Sequence, residues 1–147
     1  MNAPDLTKQP PRSARCRLGG YALLPRMLDK CRAELAGKNG DYHYNCPLDQ
    51  RLLSFVGIDA EKLKAEVAKG IGDGEALAWI EANTAHKRSA MEIAQWTALR
   101  DQAVPTDVEG RDYFNSLHKA AGPLREDIAT WADVLDLDDY VSFGGKA

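Results

Sequence analysis

Apolar residues recur three and four positions apart along most of the chain, the spacing of helices that each bury one face. Pro25 suits a first helical turn, and Met27, Leu28, Cys31 and Leu35 follow on one face until Gly37 stops the run. A second helix starts at Pro47 and carries Leu48, Leu52, Leu53 and Val56 on one stripe. Asp59 caps a third, with Leu63 and Val67 inward and Gly70 at its end, and Asp73 caps a fourth with Leu77 and Ile80. Ser89 followed by Glu92 is a capping box that opens a fifth helix through Ile93, Trp96 and Leu99 to near Val104. A sixth runs from Gly110 to Ala121, and a seventh follows Thr130 with Trp131, Val134 and Leu135 on its apolar face.

Alternating β patterns are nearly absent. Tyr21 to Leu24 and Tyr140 to Phe143 are long enough only for a minor ribbon with each other. Pro4, Pro10, Pro11, Gly19 and Gly20 among polar and Arg positions make residues 1 to 20 an extended arm. The expected fold is therefore all-α: a single compact multi-helix domain over residues 21 to 147, preceded by a Pro/Arg arm.

Composition excludes little beyond disorder and fibrous repeats, with 44% hydrophobic and 28% charged residues in 147. Charge placement says more than the net −3. Residues 1 to 40 hold eight Lys or Arg against three acids, whereas Glu126 to Asp139 contains six acids and no base. The basic start can pair with the acidic end, within one chain or between two copies, and a net negative chain makes nucleic acid an unfavoured partner. Three Cys form no close pairs, which points to reduced thiols in a cytoplasm, and neither a membrane span nor a signal-peptide core is visible.

The densest chemistry lies in DYHYNCPLDQR, Asp41 to Arg51. With Pro47 as first helical residue, Cys46 sits at the N-cap, where outward N–H groups and the helix dipole favour an anion. His43 is the candidate base for a Cys46 nucleophile, and Asp49 either orients that His or caps the backbone. Tyr42 and Tyr44 flank His43 on alternate sides, one inward and one free to line a cleft. The same segment has plain structural readings: Cys is among the most buried residue types, and His43 can be a hydrogen-bonded structural residue. A zinc site would need Cys16, Cys31, His43 and Cys46 together, but the spacing is too wide and Cys31 lies on an apolar face, so no metal ligands are assigned.

Elsewhere, Arg26, Asp29 and Lys30 share what the spacing makes the solvated face of the first helix, with Arg26 alternatively holding an anionic ligand. LGGY, Leu18 to Tyr21, has two glycines but lacks the wider phosphate-loop pattern. HKRS, His86 to Ser89, sets bases ahead of a helix N-terminus, to receive an anion or to finish a loop.

The segments DLTKQPPRS, RLGGYALLPRMLDKCRA, GDYHYNCPLDQRLLSFVGIDA, HKRSAMEIAQW and DLDDYVSFGGKA closely resemble the bacterial family catalogued as domain of unknown function 5069. The likeness covers nearly the whole chain and implies a helical, cytoplasmic, bacterial protein of one domain, with no established activity to carry over. Tyr21, Arg26, Asp29, His43, Tyr44, Cys46, Pro47 and Asp49 match the family pattern, whereas Cys16 and Cys31 depart from it.

Two functional expectations stand side by side. In one, a small-molecule site forms where Tyr42 to Asp49 meets the first helix and LGGY, with Cys46, His43 and Asp49 catalytic, Arg26 holding an anionic ligand, Asp29 also ligand-binding, and Tyr21 and Tyr44 as walls. In the other, the basic arm and acidic C-terminal region form a docking module for a partner protein or a second copy. The residues name no cofactor.

Overall fold

The computed structural model describes residues 2–147, and the caps written into the sequence set most of its helix starts. The helices are α1 (Leu24–Leu35), α2 (Pro47–Val56), α3 (Ala60–Val67), α4 (Asp73–Asn83), α5 (Ala90–Asp101), α6 (Val108–Ala121) and α7 (Trp131–Ser142). Asp59 caps α3 through the Lys62 N–H at 2.9 Å. Ser89 with Glu92 and Thr130 with Asp133 form reciprocal capping boxes at α5 and α7. The fold is all-α with a minor ribbon.

That ribbon differs from the one the pattern predicts. β1 (Arg17–Leu18) pairs antiparallel with β2 (Tyr21–Ala22), while Tyr140 to Ser142 continue α7. Gly19 and Gly20 at φ 58° and 83° make the tight turn between the two strands. A Cβ on Gly19 would lie 2.6 Å from the Leu77 side chain, so the LGGY glycines serve a hairpin packed on α4. Asp73 also departs from its expected cap: Gly72 precedes the helix, its N–H donates to Glu75 at 2.8 Å, and Asp73 turns to arginines instead.

α1 forms the centre, with every residue from Leu24 to Ala33 buried. Leu24, Met27, Leu28 and Cys31 pack against Leu52, Leu53 and Val56 of α2, Leu63 and Val67 of α3, and Ala76 and Ile80 of α4. The other side of α1 is covered by the arm and α7. Leu6 and Ala14 of the arm are buried, and the Leu6 N–H reaches the Lys38 carbonyl at 2.9 Å. The face read as solvated is therefore interior, and Arg26, Asp29, Lys30 and Arg32 are all buried there as ions with partners.

Ion pairs tie the arm across the fold. Arg12 donates to Asp29 and Asp73, and Asp73 also accepts from Arg32 at 2.7 Å. Arg15 pairs with Asp133 and Asp136, Ser13 donates to Asp136, and Arg17 pairs with Asp101. The basic start thus meets acids of its own chain. α5 is anchored through Thr97, whose hydroxyl accepts the Ala22 N–H at 3.0 Å and donates to the Gly20 carbonyl at 2.8 Å. α6 packs chiefly on α7, with Phe114 edge-on to Trp131. Leu99, expected on the inner face of α5, is exposed. Among the described residues no helix is long and apolar enough to cross a membrane.

Candidate functional site

The turn before α2 is shaped by Asn45, which takes a left-handed φ of 60°, a conformation Asn tolerates better than most residues. Cys46 follows in extended conformation as N-cap and makes no side-chain cap bond. Pro47 then occupies the first helical turn, where its missing donor is not needed. Asp49, one turn in, reaches back so that its Oδ2 accepts the Asn45 N–H at 2.9 Å. The Asp49 carboxylate thus takes the N–H groups of Asn45 and Cys46 just ahead of the helix.

The partner the pattern missed is Lys30. Its ammonium, on α1, donates to Asp49 Oδ1 at 2.8 Å and to Cys46 Sγ at 3.2 Å. Lys30 and Asp49 side chains are 5% and 2% exposed, so this is an ion pair inside the protein, while Cys46 as a residue is half-buried. Burial pushes the Asp49 carboxyl above its ordinary value, and Lys30 together with the Asn45 and Cys46 N–H groups opposes that rise. The sulfur is thus held between a buried ammonium and the tip of α2.

The other proposed site residues go elsewhere. His43 is exposed and makes no hydrogen bond to Cys46 or Asp49, whose bonded cation is Lys30 instead. Arg26 pairs with Asp139 at 2.6 Å, its side chain 6% exposed, and this carboxylate fills the place an anionic ligand would take. Tyr42 completes that cluster by donating to Asp139 at 2.7 Å, with the Arg26 guanidinium 5.6 Å from its ring centre. Asp29 accepts three bonds from Arg12. Tyr44 is the inward tyrosine, donating to the Ala60 carbonyl at 2.8 Å, and Tyr21 is buried beside Leu24, Met27 and Leu52 where no water fits. Both tyrosines belong to the core and wall no cleft.

Cys31 is fully buried, and burial drives its thiol up to about 12, the behaviour of an inert apolar residue. Among the described residues no group of three or more His, Cys, Asp or Glu side chains is placed to hold a metal ion. The one signal that would have pointed to Lys30 is its position on the turn after Arg26, a face whose acids and bases alternate. Nothing local names Asp49 as its partner.

A family model described as Domain of unknown function (DUF5069) matches residues 8–141, from within the arm to the last turn of α7. No curated protein matches the chain.

Proposed function

The chain belongs to the DUF5069 family, and we propose that it is a small-molecule-binding protein of the bacterial cytoplasm whose Cys46 acts as a nucleophile. The observation that carries this is the Lys30 ammonium 3.2 Å from the sulfur of Cys46, a half-buried residue at a helix N-terminus. A charged donor at that distance balances negative charge on an attacking sulfur, and Asp49 holds the ammonium in place. Lys30 acts as a cation beside the sulfur, a different part from the base that His43 was expected to be. The docking alternative has less support, because Arg12, Arg15 and Arg17 each already have a carboxylate partner within the chain.

Iodoacetamide labelling at neutral pH, followed by peptide mass analysis, tests the reading. Cys46 should react at least about tenfold faster than Cys31, equivalent to ~1.4 kcal/mol of barrier, and faster than Cys16. Lys30→Met should remove the advantage over Cys16. Equal, slow labelling at all three positions would refute thiol chemistry here.

A further inference from the structure

We propose that the groove between α2 and α5 binds a small phosphate monoester carrying a planar ring, with the ring against the Phe55–Trp96 pair and the phosphate on Arg51 and Arg100. This reading is independent of Cys46. The groove is open, about 650 Å³ in volume, within the range that accepts small molecules. Pro47, Arg51 and Phe55 line it from the outward face of α2, and Trp96 and Arg100 line it from α5.

Three observations converge on this ligand chemistry. First, Phe55 and Trp96 are stacked at 4.8 Å with their planes only 10° apart, an aromatic wall half-buried at the surface. With one Phe55 face on Trp96 and the other under Arg88, the outward face of Trp96 is the one left for a further flat ring, and base-on-aromatic stacking contributes about 1–3 kcal/mol. Arg88 adds its guanidinium 4.4 Å from the Phe55 ring centre, and its Nε donates to the Phe55 carbonyl at 3.1 Å.

Second, the arginines here lack the carboxylate partners that most arginines elsewhere in the molecule have. Of ten arginines, Arg12, Arg15, Arg17, Arg26, Arg32 and Arg125 are in ion pairs. Among the described residues Arg51, Arg88, Arg100 and Arg111 are not, and the first three gather around one aromatic pair. Arg88 feels the field of Glu92, but no carboxylate bonds to any of the three. In a chain of net charge −3, concentrating unpaired guanidinium groups at one groove runs against the overall charge.

Third, Arg100 Nε is buried without a hydrogen-bond partner, and the like charge of Arg51 acts on the same guanidinium. Two cations lining one groove favour a ligand with more than one negative charge. A phosphate monoester carries about −1.5 to −2 at pH 7, with oxygens suited to guanidinium forks, whereas a carboxylate carries one charge. A polynucleotide is the less suitable occupant, because the acidic C-terminal segment and the net negative chain repel an extended polyanion.

Calorimetric titration of the full chain with a nucleoside 5′-monophosphate, the free nucleoside and inorganic phosphate tests the proposal. The monophosphate should bind at least about tenfold more tightly than either fragment, and its affinity should fall as salt rises. Arg51→Gln and Arg100→Gln should each weaken it about tenfold or more, and Arg51→Gln, at an exposed position, should leave the urea midpoint unchanged. Trp96→Phe should retain binding while abolishing ligand quenching of tryptophan fluorescence, and Cys46→Ser should bind as the parent does, which separates this site from the thiol. Equal affinity for nucleoside and monophosphate, insensitivity to both arginine substitutions, or stronger binding of a single-stranded oligonucleotide than of the monophosphate would overturn it.

Discussion

Removing the Lys30 ammonium while keeping its bulk, as in Lys30→Met, leaves Asp49 ionised inside the protein with only backbone N–H groups and the α2 terminus to balance it. Both side chains of the parent pair are at most 5% exposed, so water cannot take over the lost bond. Breaking one side of a buried pair costs about 3–5 kcal/mol, a large part of the roughly 5–15 kcal/mol by which a domain is stable. With a urea slope of about 2 kcal/mol/M, the midpoint should fall by roughly 1.5–2.5 M. The pH dependence adds a second check. Burial already holds the Asp49 carboxyl above its unfolded value of 3.8, and loss of Lys30, which opposes that rise, moves it further up. A carboxyl with a raised folded value is harmless while protonated and becomes destabilising as pH climbs through its unfolded value. The deficit of Lys30→Met against the parent should therefore be large at pH 7 and shrink towards pH 4. Adding Asp49→Leu should restore part of the loss, because no buried charge then stands alone. A midpoint within about 0.3 M of the parent at pH 7, equivalent to under ~0.6 kcal/mol at the same slope, would show that the pair is not the closed, desolvated unit described above.

Thr97→Val should cost about 1–3 kcal/mol, since it strands the Ala22 N–H and the Gly20 carbonyl together. Urea midpoints check the cost, and faster amide exchange at Ala22 localises it. Asp133 is lowered to about 2: burial works against this, and the Ala129 and Thr130 N–H groups and Arg15 outweigh it. Its contribution is complete above the unfolded value of 3.8 and disappears as pH falls towards about 2, so Asp133→Asn should differ from the parent at pH 7 and converge with it in that window. Leu6→Ala should cost about 2–5 kcal/mol despite lying in an arm, because its side chain is 2% exposed. A cost near zero in denaturant titration would mean that the arm is not docked in solution.

Features specified by neighbours in sequence were readable before the structure. Pro47, Asp59, the Ser89 and Glu92 box and the Thr130 and Asp133 box each act within one helical turn, so their residue types announce them. Features specified at long range were not. The polar side of α1 has the spacing of a solvated face, and only Asp139, Arg12 and Asp49, 113, 17 and 19 positions away from Arg26, Asp29 and Lys30, make its burial tolerable. The same blindness put an imidazole beside Cys46: His43 is near in sequence, whereas Lys30 comes from another helix. Tyr140 to Phe143 carried a strand-like composition, yet a helix already under way at Thr130 absorbs most of it.

The double attachment of the N-terminal arm has a temporal consequence. Arg15 and Arg26 are synthesised long before the acids that neutralise them, Asp133, Asp136 and Asp139. At about 5–20 residues per second, the 113 residues separating Arg26 from Asp139 correspond to roughly 6–23 s of translation. During that interval the central helix has a cation with no counter-ion, so it cannot settle in its final packing. Completion of the core is thereby linked to arrival of the C-terminal helix, and a prematurely terminated chain should stay loose and open to proteolysis along its whole length.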